Sequence, residues 1–362
     1  MMSVSLFKLE QIINYHPFGL DKCEKTQLFR RAINELTKHH YQNSVYYQKI
    51  LDLMNFNPTE LHNVSDIPFI PVRLFKEYDL LSIEKSEIFK TMTSSGTGGN
   101  RVSKIFLDKS TAKNQTKVLS KIVTDFIGNE RLPMLIIDTS SVLKNRTLFS
   151  ARGAGILGFS TFGRKLKYAL DENMELDIEN VQEFCEKYKD GPILLFGFTF
   201  IIWKYFYQKL SELGIRLPLE KAILFHGGGW KKLTEQAVDN DSYKQALKKV
   251  CGIDKVYNYY GMVEQTGSIY IECEKGFLHT SIYSDILIRR IDFSLCDVGE
   301  SGLVQLISLL PKSYPGHNIL SEDIGQIIGE DDCPCGRKGK YFIIHGRVAS
   351  AEIRGCSDTI SE

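Results

Sequence analysis

Three apolar runs of strand length, separated and followed by segments with helical spacing, constrain the fold of this chain more than any other feature. Parallel strands need long crossover connections, so this alternation predicts an α/β fold with a largely parallel sheet flanked by helices. Helical spacing covers residues 178–189 and 231–249. The apolar runs are LPMLIIDTS, GPILLFGFT and KAILFHGGG.

The length of 362 residues predicts one large domain with subdomains, or two domains. Helical spacing also covers residues 1–62, which predicts a helical N-terminal segment. Past residue 250 the sequence changes to short strands and glycine-rich turns. We therefore expect a main domain over 1–345, a smaller β-rich subdomain over 268–345, and a tail over 346–362.

The charge balance gives no electrostatic reason to expect a strongly charged partner. Forty-five Lys and Arg against 44 Asp and Glu leave a net charge of +1, so no nucleic acid or anionic membrane partner is expected. The sequence has no run of eighteen apolar residues and no signal peptide pattern, so no membrane span is expected. The eight cysteines then indicate reduced thiols in a cytoplasm, available for metal binding or covalent chemistry.

A segment rich in glycine and hydroxyl groups, TMTSSGTGGNRVSKIFLD at residues 91–108, is the most informative motif. Glycine lets backbone N–H groups approach an anion closely, and serine and threonine hydroxyls add donors. Taken alone, the segment fits a polar turn as well as a phosphate-binding loop. It lacks the G-x-x-x-x-G-K-[ST] pattern of a Walker A loop.

This segment resembles the phosphate loop of adenylate-forming enzymes, the acyl-CoA synthetase and ligase superfamily. The family's loop continues to a Pro-Lys pair, whereas NRVSK places Arg101 and Lys104 nearby, and we expect Lys104 to act in catalysis. The resemblance implies an ATP-binding role for Ser94, Ser95, Gly96, Thr97, Gly98 and Gly99.

Two further motifs resemble the adenine-binding and metal-binding segments of that superfamily. FHGGGW resembles the segment that lies against the adenine, which implies that role for Gly227, Gly228 and Gly229. YNYYGMVEQTG resembles the aromatic-Gly-x-Thr-Glu motif. The resemblance implies that Tyr260 stacks on the adenine beside Gly261 and that Glu264 binds Mg²⁺. Val263 stands where the family usually has threonine, so a hydroxyl contact to the α-phosphate is not expected there.

Two more motifs follow along the chain in the order found in that superfamily. ILSEDIG resembles the segment whose aspartate holds the ribose hydroxyls, which implies that role for Asp323. HGR resembles the hinge before the family's C-terminal domain, with Arg347 as the matching basic residue. These parts suit the attack of a carboxylate on the α-phosphate of ATP, which needs two anions held together and charge on the pyrophosphate neutralised.

The whole chain resembles the acyl-protein synthetases of bacterial luminescence (LuxE), which are adenylate-forming enzymes without the usual C-terminal domain. That family activates a fatty acid as acyl-AMP, moves the acyl group to a cysteine near its C-terminus and passes it to a reductase. The segment RGCS matches the family's acceptor segment and implies that Cys356 is the acceptor. A thiol on a polar tail would reach two sites at high effective concentration.

Four residues with soft ligand atoms form a candidate metal site: Cys273, His279, Cys333 and Cys335. Two pairs of such ligands on turns predict a tetrahedral structural zinc site, and packing thiols are the alternative. The other cysteines are expected to be ordinary buried residues (Cys23, Cys185, Cys251 and Cys296). We expect His39 and His40, on an N-terminal helix, to be solvated.

Two apolar, glycine-interrupted stretches, residues 151–163 and 197–208, are expected mainly to pack in the core. Phe198 and Phe200 follow a strand end and are candidates for an acyl-pocket wall. The leading function is thus an ATP-dependent acyl-protein synthetase. A CoA ligase with its acceptor domain on another chain and a non-catalytic adenylate-binding subunit remain alternatives.

Overall fold

The computed structural model describes residues 8–94, 102–143, 151–230 and 235–348. The helices are α1 (Lys22–Asn43), α2 (Val45–Leu53), α3 (Leu74–Glu77), α4 (Lys109–Ile127), α5 (Ala151–Ser160), α6 (Ile178–Tyr188), α7 (Thr199–Ile201), α8 (Gln208–Glu212) and α9 (Asn240–Cys251), and a π-helical stretch, Ile202–Tyr207, joins α7 to α8. The strands are β1 (Ile70–Pro71), β2 (Lys90–Thr93), β3 (Lys104–Leu107), β4 (Leu132–Thr139), β5 (Gly163–Leu170), β6 (Leu194–Phe198), β7 (Ile223–Gly227), β8 (Lys255–Tyr260), β9 (Tyr270–Glu272), β10 (Leu278–His279), β11 (Ser284–Arg289), β12 (Ser301–Ser308), β13 (Asn318–Glu330) and β14 (Lys340–Arg347). Among these described helices, none is both long enough and apolar enough to cross a membrane.

The described residues form two compact units. The first unit takes its residues from Met1–Ser94, Arg101–Asp125 and Gly261–Glu352. The second unit consists mainly of Phe126–Tyr260.

The second unit is built on a parallel sheet with the strand order β5-β4-β6-β7-β8. Every residue of β4, β6 and β7 is buried, as expected for parallel strands with continuous apolar sequences. The predicted parallel α/β arrangement is therefore confirmed. The helix predicted over 231–249 begins at Asn240, because the carboxylate of Asp239 accepts the backbone N–H of Ser242 at 2.8 Å and caps the helix there.

The two faces of this parallel sheet have different packing. One face packs against α6 and α9 through aliphatic side chains such as Leu195 and Leu224. The other face is aromatic, and the ring of Phe159 on α5 lies 4.3–5.4 Å, between centroids, from those of Phe196, Phe225 and Tyr259. The alternation follows the two-residue period of a strand.

The first unit is built on an antiparallel sheet with the strand order β11-β12-β13-β14-β10-β9. β1 joins β13 in the parallel direction, and β2 and β3 form a separate antiparallel pair. From β9 to β14, consecutive strands are joined by connections too short for a parallel crossover, as the glycine-rich turns of this part of the sequence indicate.

A buried lysine attaches α1 to this antiparallel sheet. Lys25 is 3% exposed, donates from Nζ to Thr280 Oγ1 at 2.8 Å, and lies 3.4 Å from Oδ1 of Asp285. Burial lowers the pKa of Lys25, and the charge of Asp285 partly offsets this effect. The N-terminal helix is therefore held to the sheet by a charged contact as well as by apolar packing.

His40 is fully buried, so the prediction that it is solvated is wrong. Its Nε2 donates to the Pro311 carbonyl at 3.1 Å, which leaves Nδ1 to accept the Ser82 hydroxyl at 2.8 Å. Its ring stacks on His317, with centroids 4.7 Å apart. His39 is half-buried, because adjacent residues on a helix point in different directions and only one can face the sheet.

Candidate functional site

The predicted phosphate loop connects β2 to β3, which pair from Lys90 opposite Leu107 to Thr93 opposite Lys104. Ser94 N–H donates to the Ser103 carbonyl at 3.1 Å, and Ser103 N–H donates to Ser94 Oγ at 2.9 Å. These bonds extend the pairing by one residue on each strand. The other predicted loop ligands lie outside the described residues: Ser95, Gly96, Thr97, Gly98 and Gly99.

Lys104 is the first residue of β3 and lies opposite Thr93, at the end of the strand pair where the predicted phosphate loop connects the two strands. Its Nζ lies 3.8 Å from Oδ1 of Asp79, and both side chains are half-exposed. A long ion pair between exposed groups contributes little to stability. Lys104 can therefore exchange this contact for an anionic ligand at small cost.

Glu264 lies in a short 3-10 turn that neighbouring side chains hold in place. Gln265 donates from Nε2 to the carbonyls of Leu306 and Gly316, at 3.0 and 2.9 Å. The Tyr314 hydroxyl donates to the Glu264 carbonyl at 2.9 Å. Three hydrogen bonds to other residues of the first unit therefore anchor the Glu264–Gln265 turn.

The carboxyl group of Glu264 is buried, with 5% of the residue exposed. Burial raises its pKa, while the Ser103 hydroxyl and the positive charges of Lys76 and Arg347 lower it. A buried carboxylate gains from a nearby cation, and carboxylate oxygens are ligands that Mg²⁺ accepts. The environment of Glu264 therefore fits the predicted metal role.

Asp323 and Arg347 come from two different motifs and meet across two strands of the first unit. They are direct partners in the pairing of β13 with β14. Arg347 donates from Nε to Oδ1 of Asp323 at 3.2 Å, and the Asp323 N–H donates to Ser321 Oγ at 3.1 Å. The predicted ribose ligand and the predicted hinge residue are thus in contact.

The three predicted adenine-contacting glycines lie at the end of β7 in the second unit. Gly228 and Gly229 have φ values of +88° and +67°, which favour glycine. A Cβ on Gly227 would lie 2.7 Å from the Tyr259 carbonyl oxygen, and one on Gly228 would lie 2.9 Å from the Phe198 ring. The segment requires glycine for both conformation and space, and Gly229 is exposed, so a ligand can reach this backbone.

The predicted aromatic-glycine motif spans the boundary between the two units in sequence. Tyr260 is half-buried and is the last residue of β8, and Gly261 begins the next segment of the first unit. A Cβ on Gly261 would lie 3.3 Å from the Ile269 side chain, a tight contact. Glycine at 261 therefore permits close packing of the chain directly after β8.

Sequence reasoning missed two buried polar residues that touch the glycine segment. Thr199 follows β6, and its hydroxyl donates to the Gly227 carbonyl at 3.1 Å. His226 directly precedes the glycines, and its Nδ1 lies 2.9 Å from Thr199 Oγ1. The signal was a histidine within a strand whose other residues are apolar, in FHGGG.

A buried ion pair interrupts the first stretch predicted to be apolar. Arg152 is 2% exposed and Asp138 is fully buried. Arg152 donates from Nε to Oδ2 of Asp138 at 2.7 Å and also from Nη2 to Oδ1 of the same carboxylate.

The two phenylalanines proposed for an acyl-pocket wall differ in exposure. Phe198 is fully buried and Phe200 is half-buried, and their role as a pocket wall stays a prediction.

The four predicted zinc ligands lie together in the first unit, with all ligand atoms within 4.8 Å of one another. Cys273 Sγ lies 4.0 Å from Cys333 Sγ, and Cys335 Sγ lies 3.4 Å from His279 Nε2. The two sequence pairs, separated by more than 50 residues, are therefore one cluster.

Two similar turns carry the cysteines of this cluster. Gly276 N–H donates to the Cys273 carbonyl and Gly336 N–H donates to the Cys333 carbonyl, each at 2.9 Å, and both glycines have positive φ. Backbone N–H groups also donate to the sulfurs, from Lys275 to Cys273 at 3.4 Å and from Arg337 to Cys335 at 3.5 Å. Such donors stabilise sulfur in its thiolate form.

Burial disfavours charge on these ligands when no metal is bound. It raises the pKa of the Cys273 thiol and raises that of Cys333 to about 12. Burial and the charge of Arg337 lower the pKa of His279 to about 4. Without a metal, the Cys273 and Cys333 thiols and the His279 imidazole therefore favour their neutral forms.

The remaining cysteines only partly match the prediction that they are buried. Cys185 and Cys251 are buried, but Cys23 is exposed and Cys296 is partly exposed. Cys23 lies in the first turn of α1 and Cys296 lies in the turn between β11 and β12, where the sequence does not show which way a side chain points. Cys356, the predicted acyl acceptor, lies outside the described residues.

The chain is similar to two bacterial ligases along nearly its whole length. A long-chain-fatty-acid–luciferin-component ligase of Vibrio harveyi is 21% identical over 352 residues, covering 94% of this chain and 89% of the relative. The ligase of the same name from Aliivibrio fischeri is 21% identical over 343 residues, covering 92% and 88%.

The fold is similar to that of a solved adenylate-forming enzyme. The crystal structure of an open conformation of 2-hydroxyisobutyryl-CoA ligase with 2-HIB-AMP and CoA matches with a TM-score of 0.72 and 15% identity. The match covers 92% of this chain and 77% of that chain, and it confirms the predicted adenylate-forming fold. A family model described as acyl-protein synthetase, LuxE, matches residues 3–362, and the chain therefore belongs to the acyl-protein synthetase family.

Proposed function

We propose that this protein activates a long-chain fatty acid with ATP and transfers the acyl group to a protein cysteine. One observation carries the proposal: Asp323 and Arg347, from two separate motifs, are in contact in the first unit, which also contains Glu264 of a third motif. Arg347 donates to Asp323 at 3.2 Å, and the charge of Arg347 lowers the pKa of Glu264. Membership of the acyl-protein synthetase family and the names of the two bacterial relatives support the fatty acid as substrate.

In the first step a carboxylate oxygen of the acid attacks the α-phosphorus of ATP. The bond between that phosphorus and the oxygen bridging to the β-phosphate breaks, so acyl-AMP forms and pyrophosphate leaves. No protein nucleophile takes part, and the residues act by holding two anions together and by stabilising charge. Mg²⁺ held by Glu264 would supply positive charge at the phosphates.

The predicted motifs would share the nucleotide contacts among them. Asp323 would accept hydrogen bonds from the ribose hydroxyls while Arg347 holds its carboxylate in place, and Lys104 would contact a phosphate. The glycines 227–229 and the ring of Tyr260 would contact the adenine. The hydroxyl-rich segment 94–99 would donate to the phosphates.

In the second step the thiolate of Cys356 attacks the acyl carbonyl carbon. A thioester forms, the bond from that carbon to the AMP oxygen breaks, and AMP leaves. The thiol proton passes to solvent, because the thiolate is the nucleophile. We propose that the tail over 346–362 then presents the thioester to a partner such as a fatty acyl reductase.

We also propose that the Cys273–His279–Cys333–Cys335 cluster binds a structural zinc ion. At a Zn–S distance of about 2.3 Å, neighbouring sulfurs of a tetrahedral site lie about 3.8 Å apart, and the Cys273 and Cys333 sulfurs are 4.0 Å apart. Three thiols and one imidazole are a donor set that zinc accepts, and backbone N–H groups already point at two of the sulfurs. These thiols must stay reduced to bind zinc, which favours a cytoplasmic location.

One assay tests the catalytic proposal directly. Purified protein is incubated with ATP, Mg²⁺ and a series of fatty acids, while pyrophosphate release and the intact mass of the protein are measured. Acid-dependent pyrophosphate together with a hydroxylamine-sensitive mass gain is the expected result.

The alternatives give different results in the same assay. Pyrophosphate release without a mass gain would favour a ligase whose acceptor lies on another chain. Neither signal with any acid would favour a non-catalytic adenylate-binding subunit and contradict the proposal.

A further inference from the structure

The glycine segment at the end of β7 is supported by a buried threonine–histidine pair in the second unit. Thr199 is 6% exposed and His226 is 3% exposed. Thr199 Oγ1 lies 3.1 Å from the Gly227 carbonyl oxygen and 2.9 Å from His226 Nδ1. The three groups form a continuous hydrogen-bonded chain from the imidazole to the glycine backbone.

The directions of these bonds follow from the chemistry of the groups. A carbonyl only accepts, so the Thr199 hydroxyl must donate its single proton to Gly227. The hydroxyl oxygen is then an acceptor for His226, and Nδ1 must carry the imidazole proton. Burial, together with the positive charge of Lys244, lowers the pKa of His226 to about 3, so the ring is neutral and carries one proton only.

Aromatic packing holds the imidazole ring in this orientation. The His226 ring lies 4.6 Å from Tyr243, measured between centroids, and Tyr243 lies 5.7 Å from Trp203 and 5.9 Å from Trp230. Within the described residues His226 Nε2 has no hydrogen-bond partner, so Nδ1–H to Thr199 is the one polar contact found for this ring. The ring is therefore oriented toward Thr199 by packing on one side and by a single hydrogen bond on the other.

Strand pairing fixes the glycine segment only as far as Gly227, which ends β7 between Phe198 on β6 and Tyr259 on β8. Gly228 and Gly229 follow the strand, both have positive φ, and neither has a side chain that could pack. Glycine has more backbone freedom than any other residue, so an ordered glycine run needs contacts from outside itself. The Thr199 hydroxyl bonds to the carbonyl that immediately precedes the two positive-φ residues.

We infer that Thr199 and His226 are positioning residues that order the Gly227–Gly229 backbone for contact with the nucleotide. This inference rests on the proposed function, which assigns the glycines to the adenine. Neither side chain is required to touch ATP: Thr199 acts through the Gly227 carbonyl, and His226 acts through Thr199.

The chain provides its own reporter for a test. Its two tryptophans are Trp203 and Trp230; their ring centroids are 5.3 Å apart, and Trp230 directly follows Gly229. ATP titrated into the full chain with Mg²⁺ present should change tryptophan emission saturably. Thr199→Val, which keeps the shape but removes the hydroxyl, should weaken ATP binding roughly tenfold, and Thr199→Ser should bind like the wild type.

Steady-state kinetics add a second measurement. Thr199→Val should raise the KM for ATP by a similar factor, with kcat and the KM for the acid little changed, because the lost contact orders a binding segment. Thr37→Val is the matched control, since it removes another buried threonine–histidine hydrogen bond, 3.0 Å from Thr37 Oγ1 to His317 Nε2 in the first unit. It should lower thermal stability without changing ATP affinity.

Three results would overturn the inference. The first is an ATP affinity of Thr199→Val equal to that of the wild type. The second is an equal loss of affinity in Thr199→Ser, and the third is an equal loss in Thr37→Val, because either would report general destabilisation. Failure of the proposed function is distinguishable, since it would appear in the wild type as an absence of acid-dependent pyrophosphate.

Discussion

Arg347 donates from Nε to the carboxylate of Asp323 at 3.2 Å, and the two residues stand directly opposite each other on β13 and β14. Asp323 is 8% exposed, whereas the Arg347 side chain is 38% exposed. Solvent around the partly exposed guanidinium screens its attraction to the carboxylate and limits what the pair contributes to stability. The contact therefore serves to orient the carboxylate that is proposed to hold the ribose.

Asp323→Asn is expected to weaken ATP binding by about tenfold or more, because one hydroxyl acceptor is lost and the charged partner of Arg347 is removed. The measurement is an ATP titration followed by tryptophan emission, together with the KM for ATP. Arg73→Met is the control, since it breaks the neighbouring pair between Arg73 and Glu322. Equal affinity in wild type and Asp323→Asn would remove Asp323 from the nucleotide site.

Glu264→Gln should lower the rate of pyrophosphate release by at least about a hundredfold, because the neutral amide cannot hold Mg²⁺ in the same way. Its melting temperature should not fall, since the substitution removes a charge that is costly to bury at this position. Glu330→Gln makes the same change at another position in the first unit and should leave the rate unchanged. Acyl-AMP formation at the wild-type rate would show that Glu264 is not the metal ligand.

Purified protein, prepared without chelator, should contain about one zinc ion per chain. Cys333→Ser should release the metal and lower the melting temperature by roughly 10 °C or more, as expected when a structural metal is lost. Cys251→Ser alters another buried cysteine and should retain the zinc. Elemental analysis that finds no metal in the wild type would refute the zinc site and leave the adenylation proposal intact.

Cys356→Ser should abolish the hydroxylamine-sensitive acyl adduct and leave acid-dependent pyrophosphate release in place. A serine hydroxyl without an activating base is a poor nucleophile, whereas the predicted adenylation residues all lie earlier in the chain. Cys23→Ser removes an exposed thiol elsewhere and should keep the adduct. Peptide mass analysis that places the acyl group on another cysteine would show that Cys356 is not the acceptor.

Stability should fall with acid because His40, His226 and His317 are buried and neutral. Burial lowers the pKa of His226 and His317 to about 3 and that of His40 well below its ordinary value. Unfolding returns each to about 6.5, so the unfolded chain binds more protons below that pH. The free energy of unfolding should be highest above about pH 6.5. As the pH falls below that value, it should decrease by up to about 1.4 kcal/mol per pH unit for each histidine.

Urea unfolding between pH 7.5 and 5 measures this dependence. His317→Asn should reduce the slope by about one proton. An identical slope in wild type and His317→Asn would mean that His317 does not contribute.

Local patterns in the sequence were sufficient for the parallel α/β part of the fold and for selecting the four cysteine and histidine residues that lie together in the first unit. The runs of β4, β6 and β7 are apolar at nearly every position, so they could be stable only as strands buried on both faces. Cysteine and histidine pairs on turns indicate a metal site because their chemistry depends little on the surroundings.

The tertiary structure alone decided which polar residues meet. Helical spacing could not show that His40 is buried while His39 is half-buried, because that depends on where the helix lies against a sheet. No local pattern places Arg347 against Asp323, Arg152 against Asp138, or Thr199 against the Gly227 carbonyl. Hydrophobic periodicity is a property of a few consecutive residues, whereas each of these contacts joins residues 14 to 28 positions apart through strand register and packing.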